Sequence, residues 1–155
     1  MTGVLVGLLV LAGLYAVFHF WGRRPFAHQT RLADLGPFIG TVRTRARPGG
    51  HLLIRPASQE TPFLQLRRVA DGRDALEVGF PRVTWSEMSF PDFEHRLQVA
   101  GIPYEVLPGS GTVEAFIAVN CGGDEALAAR VLGLASAAVG WEAQAPLRLT
   151  FHGVD

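Results

Sequence analysis

The residue best placed for chemistry by type and position is Cys121, in Asn120-Cys121-Gly122-Gly123-Asp124, between a predicted strand and a predicted helix. The dipole of the following helix could acidify its thiol, and amides bared by two glycines could hold an anion. Cys121, Gly122 and Gly123 are therefore the candidate ligand site. Against this, Asp124 opposes an anion, no general base is placed by sequence, and single cysteines are among the most buried residue types. A structural cysteine is the expectation.

The five histidines are His19, His28, His51, His95 and His152, and none has a ligand-spaced His, Cys or carboxylate beside it of the H-E-x-x-H kind. No metal site and no cofactor are expected. His19 lies inside an apolar run and is the weak candidate for a haem or chlorophyll ligand. Its position near the end of that run favours a hydrated histidine instead. Glu94 and His95 are adjacent on one predicted helix and so point about 100° apart, leaving no shared catalytic face. The hydrolase elbow, the P-loop and the dinucleotide glycine pattern are all absent. A non-enzymatic protein is expected.

The totals exclude further classes. A chain of 155 residues has room for one ordinary domain once an apolar leader is set aside. Formal charge is zero, so no global field draws a nucleic acid, and no nucleic-acid partner is expected. All 14 basic residues are arginine, a bias that suits a GC-rich bacterial genome. One cysteine excludes an intrachain disulfide framework.

From Gly3 to Trp21 the chain runs 19 residues without a formal charge. As a helix this is roughly 28 Å long, about the thickness of a bilayer core. No basic residue precedes it and no small-x-small cleavage site follows. Residues 1–22 are thus expected to be an uncleaved transmembrane anchor. Arg23 and Arg24, with further arginines downstream, predict a single-pass protein of the bacterial inner membrane, its amino terminus outside and its domain cytoplasmic. Trp21 and its aromatic neighbours would seat the helix end. The pairs Gly3/Gly7 and Ala12/Ala16 would let a second helix approach.

Residues 23–50 read as a basic connector broken by Pro25, Gly36, Pro37, Pro48, Gly49 and Gly50. Arg43, Arg45 and Arg47 recur at every second position. If extended, they form a ladder facing lipid or an acidic partner, although a solvated edge strand accounts for them as well.

Residues 51–155 form the predicted domain. Leu64/Leu66 and Leu76/Val78/Phe80 alternate with polar residues around a turn at 70–73, giving a hairpin. Ser89 is a candidate N-cap for a helix carrying Phe93, Leu97 and Ala100 and stopped by Gly101. A second hairpin turns at 108–111. A helix with Leu127, Val131, Leu134 and Ala138 follows, and Leu147, Leu149 and Phe151 mark a last strand. This order predicts a ferredoxin-like α+β sheet (βαββαβ) with two helices on one face and one or two extra N-terminal strands, at 63–69 and 51–55. Trp85, before the first helix, marks a contact surface if exposed and a lid over the core if covered; the lid is favoured. The resulting expectation is a non-enzymatic accessory or scaffold subunit of a larger membrane complex, touching the bilayer and other subunits. The rival is a membrane-tethered module that binds a small ligand.

Overall fold

Segments that alternate apolar and polar residues bury one face when paired as strands, and seven such segments pair here into one sheet. The computed structural model describes residues 26–69 and 75–154. Its strands are β1 (Phe26–Arg31), β2 (Ala46–Pro56), β3 (Leu64–Arg68), β4 (Leu76–Arg82), β5 (Glu105–Pro108), β6 (Ala115–Gly122) and β7 (Pro146–Val154). Three α-helices accompany them: α1 (Gly36–Arg45), α2 (Ser89–Ala100) and α3 (Glu125–Ala138). The sheet order is β1-β7-β2-β3-β4-β6-β5. Every neighbouring pair is antiparallel.

Since β1 and β2 both run against β7, they are parallel to each other, and α1 makes the crossover between them. Likewise β4 and β5 flank β6, and α2 crosses over it. The third helix, α3, carries the chain from β6 to β7 across β4, β3 and β2. Leu52, Ile54, Leu64, Leu66, Leu76, Val78, Phe80, Ile117, Val119, Leu147 and Leu149 are fully buried on one side of this sheet. There they join Ile39 and Val42 of α1, Phe93 and Leu97 of α2, and Ala128, Val131, Leu132 and Ala135 of α3 in one core. The small buried residues of α3 let it approach the sheet while touching both other helices.

The ferredoxin-like expectation is corrected by this topology. In that fold the last strand pairs with the first, whereas β2 and β3 separate β7 from β4, giving seven strands and three α-helices among the described residues. The physical reason is burial. Leu52, Ile54, Leu64 and Leu66 are all at 0% exposure, which mid-sheet positions provide and an edge would not.

Two elements, β1 and α1, arise within residues 26–45, where a connector was expected. Gly36-Pro37 opens α1 instead of breaking the chain, because proline in a first helical turn loses no hydrogen bond. The arginine ladder is corrected too. Arg43 and Arg45 lie in the last turn of α1 and Arg47 lies on β2, so they do not share one extended face.

The single-pass membrane expectation, with its transmembrane-helix and inner-membrane placement, is also corrected. Among the described residues no helix is long and apolar enough to cross a membrane. The longest, α3, has 14 residues, about 21 Å of helix against about 30 Å of hydrocarbon. The span expected at 3–21, with Gly3, Gly7, Ala12, Ala16, His19 and Trp21, and the following Arg23 and Arg24, lies outside the described residues.

Candidate functional site

The loop around Cys121 turns several of its polar groups on one another. A register shift at the end of the β4–β6 ladder is completed by Gly122, whose φ of +55° suits glycine. Cys121 is buried at 4% exposure, and its Sγ lies 3.6 Å from the Val119 carbonyl oxygen. Burial, followed by the charge of Asp124, pushes its thiol up to about 11 from 9.0. Asp124 caps α3 by accepting from the Leu127 amide at 2.9 Å, and Asn120 Oδ1 accepts from the Gly122 amide at 2.8 Å. The amides of Gly122, Asp124 and Leu127 are thereby engaged within the chain. Alkylation of the native chain at pH 8 is expected to be at least about 100-fold slower than that of the denatured chain, from the thiolate fraction alone. Rapid stoichiometric labelling of native protein would contradict the buried placement.

Arg43 is drawn to Glu125 at the start of α3 (2.5 Å), a half-exposed pair that ties α1 to α3. Arg45 and Arg47 are exposed. Trp85 sits in a 3-10 turn (Thr84–Ser86) and is half-buried, its ring 5.5 Å from Phe63 and 5.9 Å from Phe80. That is the lid arrangement. Its anchor is the buried Ser86, which accepts from the Val83 amide (2.8 Å) and donates to the Pro81 carbonyl (2.7 Å). The N-cap expected at Ser89 falls instead on Met88, with no side-chain bond, and Asp92 pairs with Arg96 at 2.9 Å. Gly101 does stop α2, in a left-handed conformation whose amide and that of Ile102 return to Gln98 and Leu97.

The surface left available is the sheet face opposite the helices. Strand alternation sends Leu53, Arg55 and His51 of β2, Gln65 and Arg67 of β3, Phe116 of β6, and Arg148, Thr150 and His152 of β7 to this side. No described element covers it. Arg67 Nε donates to Glu77 Oε1 at 2.7 Å. The rings of His51 and His152, directly opposite each other on β2 and β7, stack at 4.7 Å. Two adjoining concavities of about 240 Å³ each lie on the β3–β5 half of the face. Ala118 and Glu77 line both; Gln65, Phe116 and Leu107 wall one, and Tyr104, Glu105 and Asn120 the other. Among the described residues no group of three or more His, Cys, Asp or Glu is placed to hold a metal ion.

His51 couples the fold to acid. Burial first, then the charge of His152, lowers the His51 pKa from 6.5, with Gly49 opposing and Arg67 adding to the shift. The unfolded chain therefore binds a proton at His51 before the folded chain does. Stability should be fullest above pH 6.5 and fall as pH drops through the lowered folded value. Urea titrations at pH 7.5 and 5.5 are expected to show a smaller pH-dependent loss for His51→Gln than for the native chain. Equal losses would remove His51 as the cause.

Sequence reasoning passed over this face, although its signal was present: the polar halves of the alternating strands name its residues. What was missing was which strands lie side by side. The geometry defines the class as a two-layer α+β protein with an all-antiparallel seven-stranded sheet covered by helices on one side. No protein-family model, curated protein or solved structure matches the chain.

Proposed function

We propose that this chain is a non-enzymatic accessory or scaffold subunit that binds another protein through the helix-free face of its sheet. The observation behind the reading is that face itself: half-buried Leu53, Leu107 and Phe116 on the same side as charged and imidazole side chains, with no described element over them. Apolar and aromatic side chains mixed with polar ones are the usual build of a protein interface. The concavities, at about 240 Å³ each, fall below the roughly 300–1,000 Å³ of pockets that enclose drug-sized ligands. They suit side chains of a docked partner better than an enclosed substrate. Met88, Val99 of α2 and Val106, on the helix side of β5, are also exposed, and single exposures of this kind are ordinary.

Size analysis of gently extracted full-length chain is the test. Co-migration with a partner that is lost in Phe116→Arg and in Leu53→Arg, with both variants retaining the native thermal transition, is the expected result. A clean monomer from the native source, or a complex indifferent to both substitutions, would overturn the reading.

A module binding a small ligand is the second reading, favoured by the continuity of the two concavities through Glu77 and Ala118. It expects thermal stabilisation by a small metabolite that Gly79→Leu, which fills the floor, abolishes. No stabilisation across a broad metabolite panel would count against it.

A further inference from the structure

At the β2–β7 end of the same face, two arginines stand directly opposite each other. Arg55 on β2 pairs in register with Arg148 on β7. Like charges in opposed positions of an antiparallel ladder repel, so this arrangement needs an anion between them. Glu60 supplies it from the loop joining β2 to β3. One of its carboxylate oxygens accepts from Arg55 Nη1 and the other from Arg148 Nη2. Among the described residues it is the anionic partner of both guanidinium groups.

Three observations mark the carboxylate as an imperfect occupant. Its single charge faces two guanidinium charges. Arg55 Nε is buried and meets no acceptor among the described residues, so the guanidinium group held by Glu60 keeps an unmatched donor. The holders and the held also differ in setting: the arginine side chains are 17% and 33% exposed on ordered strands, while that of Glu60 is 70% exposed on a loop. Glu60 can leave without moving a strand. Gln29, opposite Arg148 on β1, adds a neutral polar side chain to the same row, and Arg31 beyond it is engaged with Gln144.

We propose that Arg55 and Arg148 form a binding site for a phosphate group, free or carried on a phosphomonoester, which enters by displacing Glu60. A tetrahedral dianion neutralises both guanidinium groups, where the single charge of a carboxylate does not, and offers more than one oxygen to each of them. Guanidinium groups bind phosphate through parallel N–H donors, which gives the site its preference for such oxyanions. Glu60 acts as a tethered competitor, so the site's apparent affinity is reduced by the fraction of time that the carboxylate occupies it. The pull of both arginines, Arg148 foremost, lowers the Glu60 pKa, so the competitor stays charged into more acid solution than an ordinary glutamate. This site does not rest on the docking reading, because purified chain with no partner suffices to test it.

The experiment is titration of the full-length chain with inorganic phosphate and, separately, phenyl phosphate at constant ionic strength, followed by phosphorus NMR and calorimetry. Glu60→Gln and Glu60→Ala are each expected to tighten binding on the order of tenfold, by removing the competitor. Arg55→Gln and Arg148→Gln, each in the Glu60→Gln background, should abolish it. Equal affinity for the two probes would identify a site that reads the phosphate alone, and preference for phenyl phosphate would identify an ester site extended along the face. The proposal is overturned if neither Glu60 variant binds more tightly than the native chain, or if binding survives loss of either arginine. A Glu60 substitution that lowers only the thermal transition would reduce the trio to a structural clamp.

Discussion

Phe80→Ala is expected to lower the stability of the chain by about 3–5 kcal/mol. The ring is fully buried in the middle of β4. It lies 5.0 Å from Phe93 of α2, 5.9 Å from Trp85 and 6.3 Å from Phe90, so it joins the sheet to both the lid turn and the helix. Truncation removes the transfer energy of the ring and leaves a cavity that strands on both sides keep from collapsing. A domain typically has about 5–15 kcal/mol in hand, so the variant should stand at the margin of folding. Urea denaturation followed by tryptophan fluorescence would report it, with Phe80→Leu expected to lose less than half as much. A loss below about 1 kcal/mol would show that the aromatic cluster is not packed as described.

Gly50→Ala is expected to cost about 1–3 kcal/mol through steric overlap. A Cβ at Gly50 would stand 2.6 Å from the Gly153 carbonyl oxygen of β7 and 2.9 Å from that of Arg47, both backbone atoms with little room to yield. The position lies where the β2–β7 register shifts between Ala46 and His51. Accommodation would therefore pry apart the two strands that carry Arg55, Arg148 and the histidine pair. Gly36→Ala is the control: nothing lies within 4 Å of its Cβ position, and it begins α1, where alanine is the better helix former. Hydrogen exchange along β2 and β7 should accelerate in Gly50→Ala and remain unchanged in Gly36→Ala. Unchanged exchange in both would mean that the close approach is relieved without disturbing the ladder.

The legible and illegible parts of this molecule divide along physical lines. Leu64, Leu66, Val78, Phe80, Phe93, Leu97, Val131 and Leu149 were all identifiable as inward-facing, because a period of 2 or of 3.6 is written in neighbouring residues. Gly101 was readable as a stop for the same local reason. Helix α1 was not, since it buries just Ile39 and Val42 and its arginines mimic an extended repeat. Edge strand β1 carries too few apolar residues to announce itself.

By itself, then, the sequence determined the α+β class, the apolar face of most strands and the absence of the common catalytic motifs. The tertiary structure alone decided that β2 and β3 lie between β4 and β7, and so that Arg55 faces Arg148 and His51 stacks on His152. Strand pairing joins residues nearly a hundred positions apart, and no local periodicity encodes it. It is settled by which order of strands buries the most apolar surface beneath three helices, and the candidate sites on the opposite face follow from that choice.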